Sequence, residues 1–126
     1  MTLGIGDDAA LLSLNSDGRV LVAKDVLLEG VHFDLSTATP QSVGRKALAV
    51  NLSDVAAMAG RPTAVFVGLV LPASRGAAFA DELMSGLIAL ANEHGVSLAG
   101  GDTNIWNGPT VISVTLLGEP TGGRAV

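Results

Sequence analysis

Short apolar runs bounded by turn residues recur along the chain, and each of them predicts a β-strand. Residues 20–26 form such a run after the turn at Asp17 and Gly18, and residues 11–14 are a candidate partner strand. Residues 64–71 are β-branched and almost entirely apolar, which predicts a strand buried on both faces. Residues 111–117 alternate, so one face of this last strand should carry Ile112, Val114 and Leu116.

Two longer segments show the 3.6-residue spacing of helices that bury one side. The first begins at residues 39–40, a threonine cap followed by proline, and should run to about Ala59 with Gly60 as its stop. Its apolar stripe is formed by Val43, Ala47, Val50 and Met58. Asn51 and Asp54 lie three residues apart beside this stripe, so two polar side chains border a face that should be buried.

The second helical segment has Ser74 as its candidate cap and Gly95 as its stop. Its stripe is formed by Phe79, Leu83, Leu87 and Leu90. Residues 97–99 are too few to classify by period, but the glycines that follow suggest a strand that ends in a turn.

The order of strands, helix, strand, helix and strands predicts an α/β (α+β) fold, with a mixed β-sheet and helices on one face. Two helices cannot cover both sides of several apolar strands. The uncovered face therefore needs another partner, and pairing of two copies through the sheet is the simplest solution.

Composition narrows the class of protein. A chain of 126 residues with 48% hydrophobic and 15% charged residues fits one folded domain. The net charge of −5 argues against nucleic-acid binding, and no apolar run reaches the roughly 20 residues that a membrane span requires. The absence of cysteine excludes disulfides and thiol nucleophiles and fits a reducing cytoplasm.

Aspartates supply the candidate chemistry. Aspartate in a loop is usually an ordinary turn or capping residue, and Asp17 and Asp34 are assigned to that role. Asp54 differs because aspartate has a poor helix propensity and this one borders the expected buried stripe. Asp7 and Asp8 also differ, because adjacent carboxylates repel one another unless a cation lies between them.

A further aspartate follows two glycines in Gly100-Gly101-Asp102-Thr103. The glycines would let the backbone approach a phosphate closely, and the carboxylate of Asp102 could bind the magnesium ion of that phosphate. If these loops converge, they form an oxygen-only site suited to Mg²⁺ and nucleotide phosphates. No Walker-type loop is present. His94, near the end of the second helix, is better explained by the helix dipole than by chemistry.

Four stretches together resemble the thiamine-monophosphate kinase family within the AIR synthase-related superfamily. They are residues 4–12 (GIGDDAALL), 29–33 (EGVHF), 46–58 (KALAVNLSDVAAM) and 100–103 (GGDT), in family order. The resemblance implies that residues 1–126 are an N-terminal domain that binds ATP and magnesium, and whose sheet pairs with a second copy in a barrel-like dimer. It also implies transfer of the γ-phosphoryl group of ATP to thiamine phosphate, which yields thiamine diphosphate.

The resemblance carries individual roles onto matching residues. Asp8, Asp25, Asp54 and Asp102 match ligands of several Mg²⁺ ions, and Gly101 and Asp102 lie against ATP. His32 contacts the thiamine phosphate. The acceptor is already an anionic oxygen, so the resemblance implies no general base and no catalytic side chain.

The chain departs from the family at residues 23–24, where Ala23-Lys24 replaces Ser-Thr before Asp25. We hypothesise that the Lys24 ammonium substitutes for part of a metal's charge; contact with a phosphate and a solvated side chain are the alternatives. The abrupt start and end of the sequence suggest a fragment trimmed at both ends. The resemblance implies that the fragment lacks a C-terminal domain, and we expect it to be inactive alone.

Two other functions remain open at this point. Another ATP-using branch of the superfamily, such as aminoimidazole ribonucleotide synthetase, selenophosphate synthetase or the hydrogenase maturation type, would share the aspartates. A non-catalytic dimerisation or nucleotide-binding module would explain the change at Lys24 and the missing domain.

Overall fold

The computed structural model describes residues 3–5, 10–12 and 18–121, and for the first two segments it gives the strand pairing alone. Those segments are β1 (Leu3–Ile5) and β2 (Ala10–Leu12), which pair antiparallel with each other. Residues 11–14 were expected to pair with the strand at 20–26. That expectation is wrong for the described residues, because the partner of that strand comes from the end of the chain.

Four longer strands form one mixed sheet. They are β3 (Leu21–Leu28), β4 (Gly60–Pro72), β5 (Ser97–Trp106) and β6 (Val111–Pro120). Their order across the sheet is β3-β6-β4-β5, with β3 and β4 antiparallel to β6 and with β4 parallel to β5. The mixed α/β class predicted from the sequence is confirmed.

Helix α1 (Pro40–Ala57) begins as predicted, because the Thr39 side chain accepts a hydrogen bond from the Ser42 N–H. Its end differs from the prediction. Ala59 takes the left-handed conformation, with φ of 55°, and Gly60 is already the first residue of β4. The buried side of α1 also differs from the predicted stripe and carries Val43, Gly44, Ala47, Leu48, Asn51 and Val55.

Helix α2 (Ala77–Glu93) connects the two parallel strands, and its predicted stripe is buried. Its N-cap is Gly76 rather than Ser74, and no side chain caps it. Gly95 ends the helix as predicted, with φ of 67°. Arg45 of α1 donates to Glu93 of α2 at 2.7 Å, and this hydrogen bond lowers the pKa of the Glu93 carboxyl.

Both helices lie on the same side of the sheet, so the strands bury alternate residues. Ile112, Val114 and Leu116 of β6 face the helices and are fully buried, as predicted. The opposite side, called the open face below, carries Val22, Lys24, Val26 and Leu28 of β3 and Phe66, Gly68 and Val70 of β4. Burial of β4 on both faces is therefore not found in one copy, since its open-face residues are only half-buried.

The segment after residue 96 is longer than predicted. It does not turn at the glycines, because β5 continues through Gly100 and Gly101 to Trp106 along β4. Within the described part of the chain, neither helix is both long and apolar enough to cross a membrane.

Candidate functional site

Asp25 lies in the middle of β3 at one edge of the sheet and is half-buried. Its sheet partner is Val114, whose side chain faces the helices, so Asp25 points to the helix side. Its Oδ1 accepts a hydrogen bond from the Val26 N–H at 2.9 Å, and Oδ2 has no hydrogen-bond partner among the residues that the structure describes. One carboxylate oxygen therefore remains available to a ligand.

Asn51, rather than Asp54, is the buried polar group of α1. Asn51 is fully buried, and its Nδ2 donates to the backbone oxygen of Val114 at 3.3 Å, while no described residue bonds its Oδ1. Asp54, one helical turn further on, is exposed. The expectation that the carboxylate of Asp54 is buried was wrong, because the buried side of α1 is rotated toward Asn51. Within the described part of the chain, the carboxylate of Asp54 makes no hydrogen bond, and it is exposed to a ligand from solvent.

Asp102 lies in β5, at the opposite edge of the sheet from Asp25, and is exposed. It pairs with Gly68, so it points to the open face. Its Oδ1 accepts from the Thr103 N–H at 2.9 Å. The packing of the sheet requires glycine at position 101, just before Asp102, because a Cβ there would collide with the backbone oxygen of Val67.

The three candidate metal ligands that the structure describes, Asp25, Asp54 and Asp102, do not converge within one copy of the chain. Asp25 and Asp102 lie three strands apart, or about 14 Å at the usual spacing between strands, and on opposite faces. Residues 18–121, together with the two short strands, contain no group of three or more His, Cys, Asp or Glu side chains that could hold a metal ion. Asp7 and Asp8 lie outside the described residues.

His32 lies in a tight turn directly after β3 and is exposed. Its Nδ1 accepts a hydrogen bond from the Leu28 N–H at 2.9 Å, so the neutral imidazole carries its proton on Nε2. The Lys46 ammonium of α1 donates to the backbone oxygen of His32 at 2.6 Å. The turn is thus attached to the helix, and it presents an N–H donor to solvent. Lys46 was part of the KALAVNLSD stretch, but its spacing alone did not indicate this contact.

Lys24 is turned away from Asp25, because successive residues of a strand point to opposite faces. Its ammonium lies on the open face and donates to Ser113 Oγ at 2.9 Å and Thr115 Oγ1 at 3.3 Å. The hypothesis placed this charge beside the carboxylate of Asp25. The structure instead places it among the hydroxyls of β6.

A cleft of about 380 Å³ lies where β4 and β5 end, and it is called the Arg75 cleft below. Its lining consists of Glu29, Pro72, Ala73, Ser74, Arg75, Asn107, Gly108 and Pro109. Glu29 holds the end of β3 to the loop before β6, since its Oε1 accepts from the Thr110 N–H at 2.9 Å. No periodic pattern in the sequence indicated this cleft, because its walls come from three separate loops.

Comparison with known proteins gives consistent results. A family model described as AIR synthase related protein, N-terminal domain, matches residues 6–119. The thiamine-monophosphate kinase of Mycobacterium tuberculosis is 45% identical over 98% of this chain, which spans 37% of that protein. This chain therefore spans less than half the length of that curated relative.

Solved structures give the same result at the level of the fold. The thiamine-monophosphate kinase of Stenotrophomonas maltophilia is 42% identical over 99% of this chain and 38% of that one, with a TM-score of 0.85. The structure of AaThiL complexed with AMPPCP and TMP is 35% identical over 91% of this chain and 36% of that one, with a TM-score of 0.76.

Proposed function

This chain belongs to the AIR synthase-related family, and from that membership we propose that the protein carrying it transfers the γ-phosphoryl group of ATP to thiamine phosphate. The observation that carries the proposal is the 45% identity to a thiamine-monophosphate kinase over 98% of the chain. AaThiL binds AMPPCP, an ATP analogue, together with TMP, which supports both ligands. A phosphate oxygen of thiamine phosphate attacks the γ-phosphorus, the bond to ADP breaks, and thiamine diphosphate and ADP are the products.

In this proposal His32 binds the acceptor. Its imidazole is oriented by the Leu28 N–H on Nδ1 and by the Lys46 ammonium on the backbone of the same turn. The remaining Nε2–H is a donor for a phosphate oxygen. The acceptor oxygen is already ionised, so no side chain has to remove a proton from it.

We propose that ATP lies against Gly101 and Asp102 and that Mg²⁺ binds through Asp8, Asp25, Asp54 and Asp102. Asp25, Asp54 and Asp102 each have a carboxylate oxygen that no described residue bonds, and such oxygens suit a hard cation. They do not fit a single ion within one copy, because no three of the described acidic groups come together. The candidate carboxylates would therefore bind separate ions, or share an ion with further ligands. Asp8 and other groups outside the described residues are candidates for those further ligands. Bound Mg²⁺ supplies positive charge that screens the phosphates.

We also propose that two copies pair through the open face. Val22 is 62% exposed there, and Val26 and Leu28 are each 40% exposed, so β3 presents an apolar edge to solvent in the single chain. Covering this face with the same face of a second copy is the isologous solution that closed dimers use.

The length of the relatives supports a second, C-terminal domain in the active protein, since this chain spans 37% of the M. tuberculosis kinase. We therefore expect this chain to be inactive by itself. The absence of cysteine supports a cytoplasmic location.

Ligand-induced stabilisation of the full-length protein tests the substrate class. Ligands that bind the native state raise the melting temperature by mass action. We expect ATP with Mg²⁺ followed by thiamine phosphate to raise it, and the substrates of aminoimidazole ribonucleotide synthetase and selenophosphate synthetase to have no effect. A shift with one of those substrates in place of thiamine phosphate would assign another branch of the superfamily. Lack of any shift with millimolar ATP would assign a non-catalytic module.

A further inference from the structure

We propose that Asn107 and Gly108 form a site of spontaneous deamidation in the folded protein, and that the side chain of Trp106 limits the rate of this reaction. The site lies in the loop between β5 and β6, where Asn107 and Gly108 both line the Arg75 cleft. The reaction requires only the chain and water, so the proposal goes beyond the proposed function and does not depend on it.

Asn107 and Gly108 place an exposed amide next to an unbonded backbone nitrogen. The Asn107 side chain is exposed, and no described residue makes a hydrogen bond with its amide. The backbone N–H of Gly108 donates to no described residue either. Glycine also has no side chain that could shield this nitrogen. The two reacting groups are therefore neighbours in a segment that is neither helix nor strand.

Two other exposed asparagines lack this combination. Asn92 lies in α2, where the helix fixes the backbone, and it precedes Glu93. Asn104 lies in β5 and precedes Ile105, whose β-branched side chain crowds the nitrogen that would have to attack. Exposure alone therefore does not select Asn107. The glycine and the irregular backbone do.

The reaction is an intramolecular substitution followed by hydrolysis. The Gly108 nitrogen loses its proton and attacks Cγ of Asn107, the bond between Cγ and Nδ2 breaks, and Nδ2 leaves with that proton as ammonia. Water then opens the cyclic imide. Cleavage of the bond between Cγ and the Gly108 nitrogen leaves an aspartate. Cleavage of the bond between that nitrogen and the backbone carbon of residue 107 leaves an isoaspartate.

Both products place a new carboxylate on the wall of the Arg75 cleft. Glu29 and Arg75 are the charged residues of the lining, and their charges are opposite. Conversion of Asn107 therefore leaves the lining with a net negative charge at neutral pH. The converted protein is also more acidic than the original, so anion exchange can separate the two forms.

The Trp106 side chain restrains the loop in which the reaction takes place. A Cβ at Gly108 would lie 2.6 Å from two ring atoms of Trp106, so the ring lies directly against the Gly108 backbone. The Trp106 Nε1–H donates to the backbone oxygen of Pro109 at 2.9 Å. These contacts hold the residue that must turn toward Asn107 during ring closure. Loss of one such hydrogen bond corresponds to about a fivefold change in rate.

The test incubates the full-length protein at neutral and mildly alkaline pH and follows each asparagine by peptide mass spectrometry. Fragmentation that separates aspartate from isoaspartate identifies both products. Asn92 and Asn104 are the internal controls, and we expect Asn107 to convert at least about tenfold faster than either. The rate should increase with pH, because the Gly108 nitrogen must lose a proton.

Two variants test the site and its restraint. Asn107→Gln should prevent formation of the acidic species, because a longer side chain has to close a larger ring. Trp106→Phe keeps an aromatic ring but removes the donor to Pro109, and it should increase the rate at Asn107 about fivefold.

Three results would overturn the proposal. Equal conversion of Asn107 and the two control asparagines would show that Gly108 gives no advantage in the folded protein. Conversion of Asn107 only after unfolding in urea would show that the fold protects the amide. An unchanged or slower rate in Trp106→Phe would show that the hydrogen bond of Trp106 does not limit the reaction.

Discussion

Asn51 and Asp54 lie one turn apart on α1, and Asn51 is buried while Asp54 is exposed. This difference shows which side of the helix packs against the sheet. The amide of Asn51 donates to the backbone of Val114, the residue that pairs with Asp25. This contact holds α1 against the row of the sheet that carries Asp25. A buried amide suits this position better than a carboxylate, because it donates a hydrogen bond without the cost of burying a charge. Asp54 is then left at the surface, where neither carboxylate oxygen is bonded to a described residue.

Asp54→Ala should weaken binding of Mg²⁺-ATP by about tenfold, or about 1.4 kcal/mol, because a free carboxylate is removed from the proposed site. Asp34→Ala is the control. The carboxylate of Asp34 is already bonded by the backbone N–H and the hydroxyl of Ser36, and these bonds lower the pKa of Asp34. Isothermal calorimetry on the full-length protein measures both variants. Equal losses of affinity would contradict the assignment of Asp54.

Lys24→Thr restores the residue type usual in the family at this position. The Lys24 ammonium donates to Ser113 and Thr115 on the open face, while Asp25 points to the helix side. We therefore expect ATP titrations at several Mg²⁺ concentrations to keep the same steepness in Lys24→Thr. Asp25→Asn should change that steepness in the same assay. A steeper dependence in Lys24→Thr would show that Lys24 does substitute for part of a metal's charge.

At the scale of the elements, local chemistry made some parts of the fold predictable. The start of α1 was found because threonine followed by proline is a strong cap, and the face of β6 was found because a half-buried strand alternates. The end of α1 was missed because Ala59, rather than a glycine, takes the positive φ. The length of β5 was missed because its pairing with β4 depends on residues more than 30 positions away.

The site was predictable only as a set of residue types. The identity of Asp25, Asp54 and Asp102 as candidate ligands followed from the sequence and its resemblance. The distance between them could not be predicted from the sequence. It depends on the strand order β3-β6-β4-β5, in which strands that are far apart in the chain are neighbours in the sheet. The Arg75 cleft was missed for the same reason.

The contact between α1 and α2 is unusually close at two glycines. A Cβ at Gly44 would collide with the Leu83 backbone oxygen, and one at Gly86 would collide with that of Gln41. Gly86→Ala should therefore destabilise the chain by about 2 kcal/mol, since backbone rather than a flexible side chain has to move. Gly76→Ser is the control, because a Cβ there meets no atom within 4 Å. Urea unfolding measures both, and equal stability of the two variants would contradict the close packing.

At the scale of the whole molecule, the open face should determine association. Val22→Glu places a charge on the edge strand β3 of this face, where Val22 is 62% exposed. We expect light scattering to give a dimer mass for the original full-length protein at micromolar concentration and a monomer mass for Val22→Glu. Val31→Glu is the matched control, because Val31 is 72% exposed but lies in the turn after β3. A monomer mass for the original protein would refute pairing through the sheet.

The central claim is that the protein carrying this chain phosphorylates thiamine phosphate, and phosphorus-31 NMR of the reaction tests it most directly. The full-length protein is incubated with ATP, Mg²⁺ and thiamine phosphate. We predict that the single resonance of thiamine phosphate is replaced by the two coupled resonances of thiamine diphosphate, in step with the formation of ADP. Formation of ADP and inorganic phosphate with thiamine phosphate left intact, or no reaction at all, would contradict the claim.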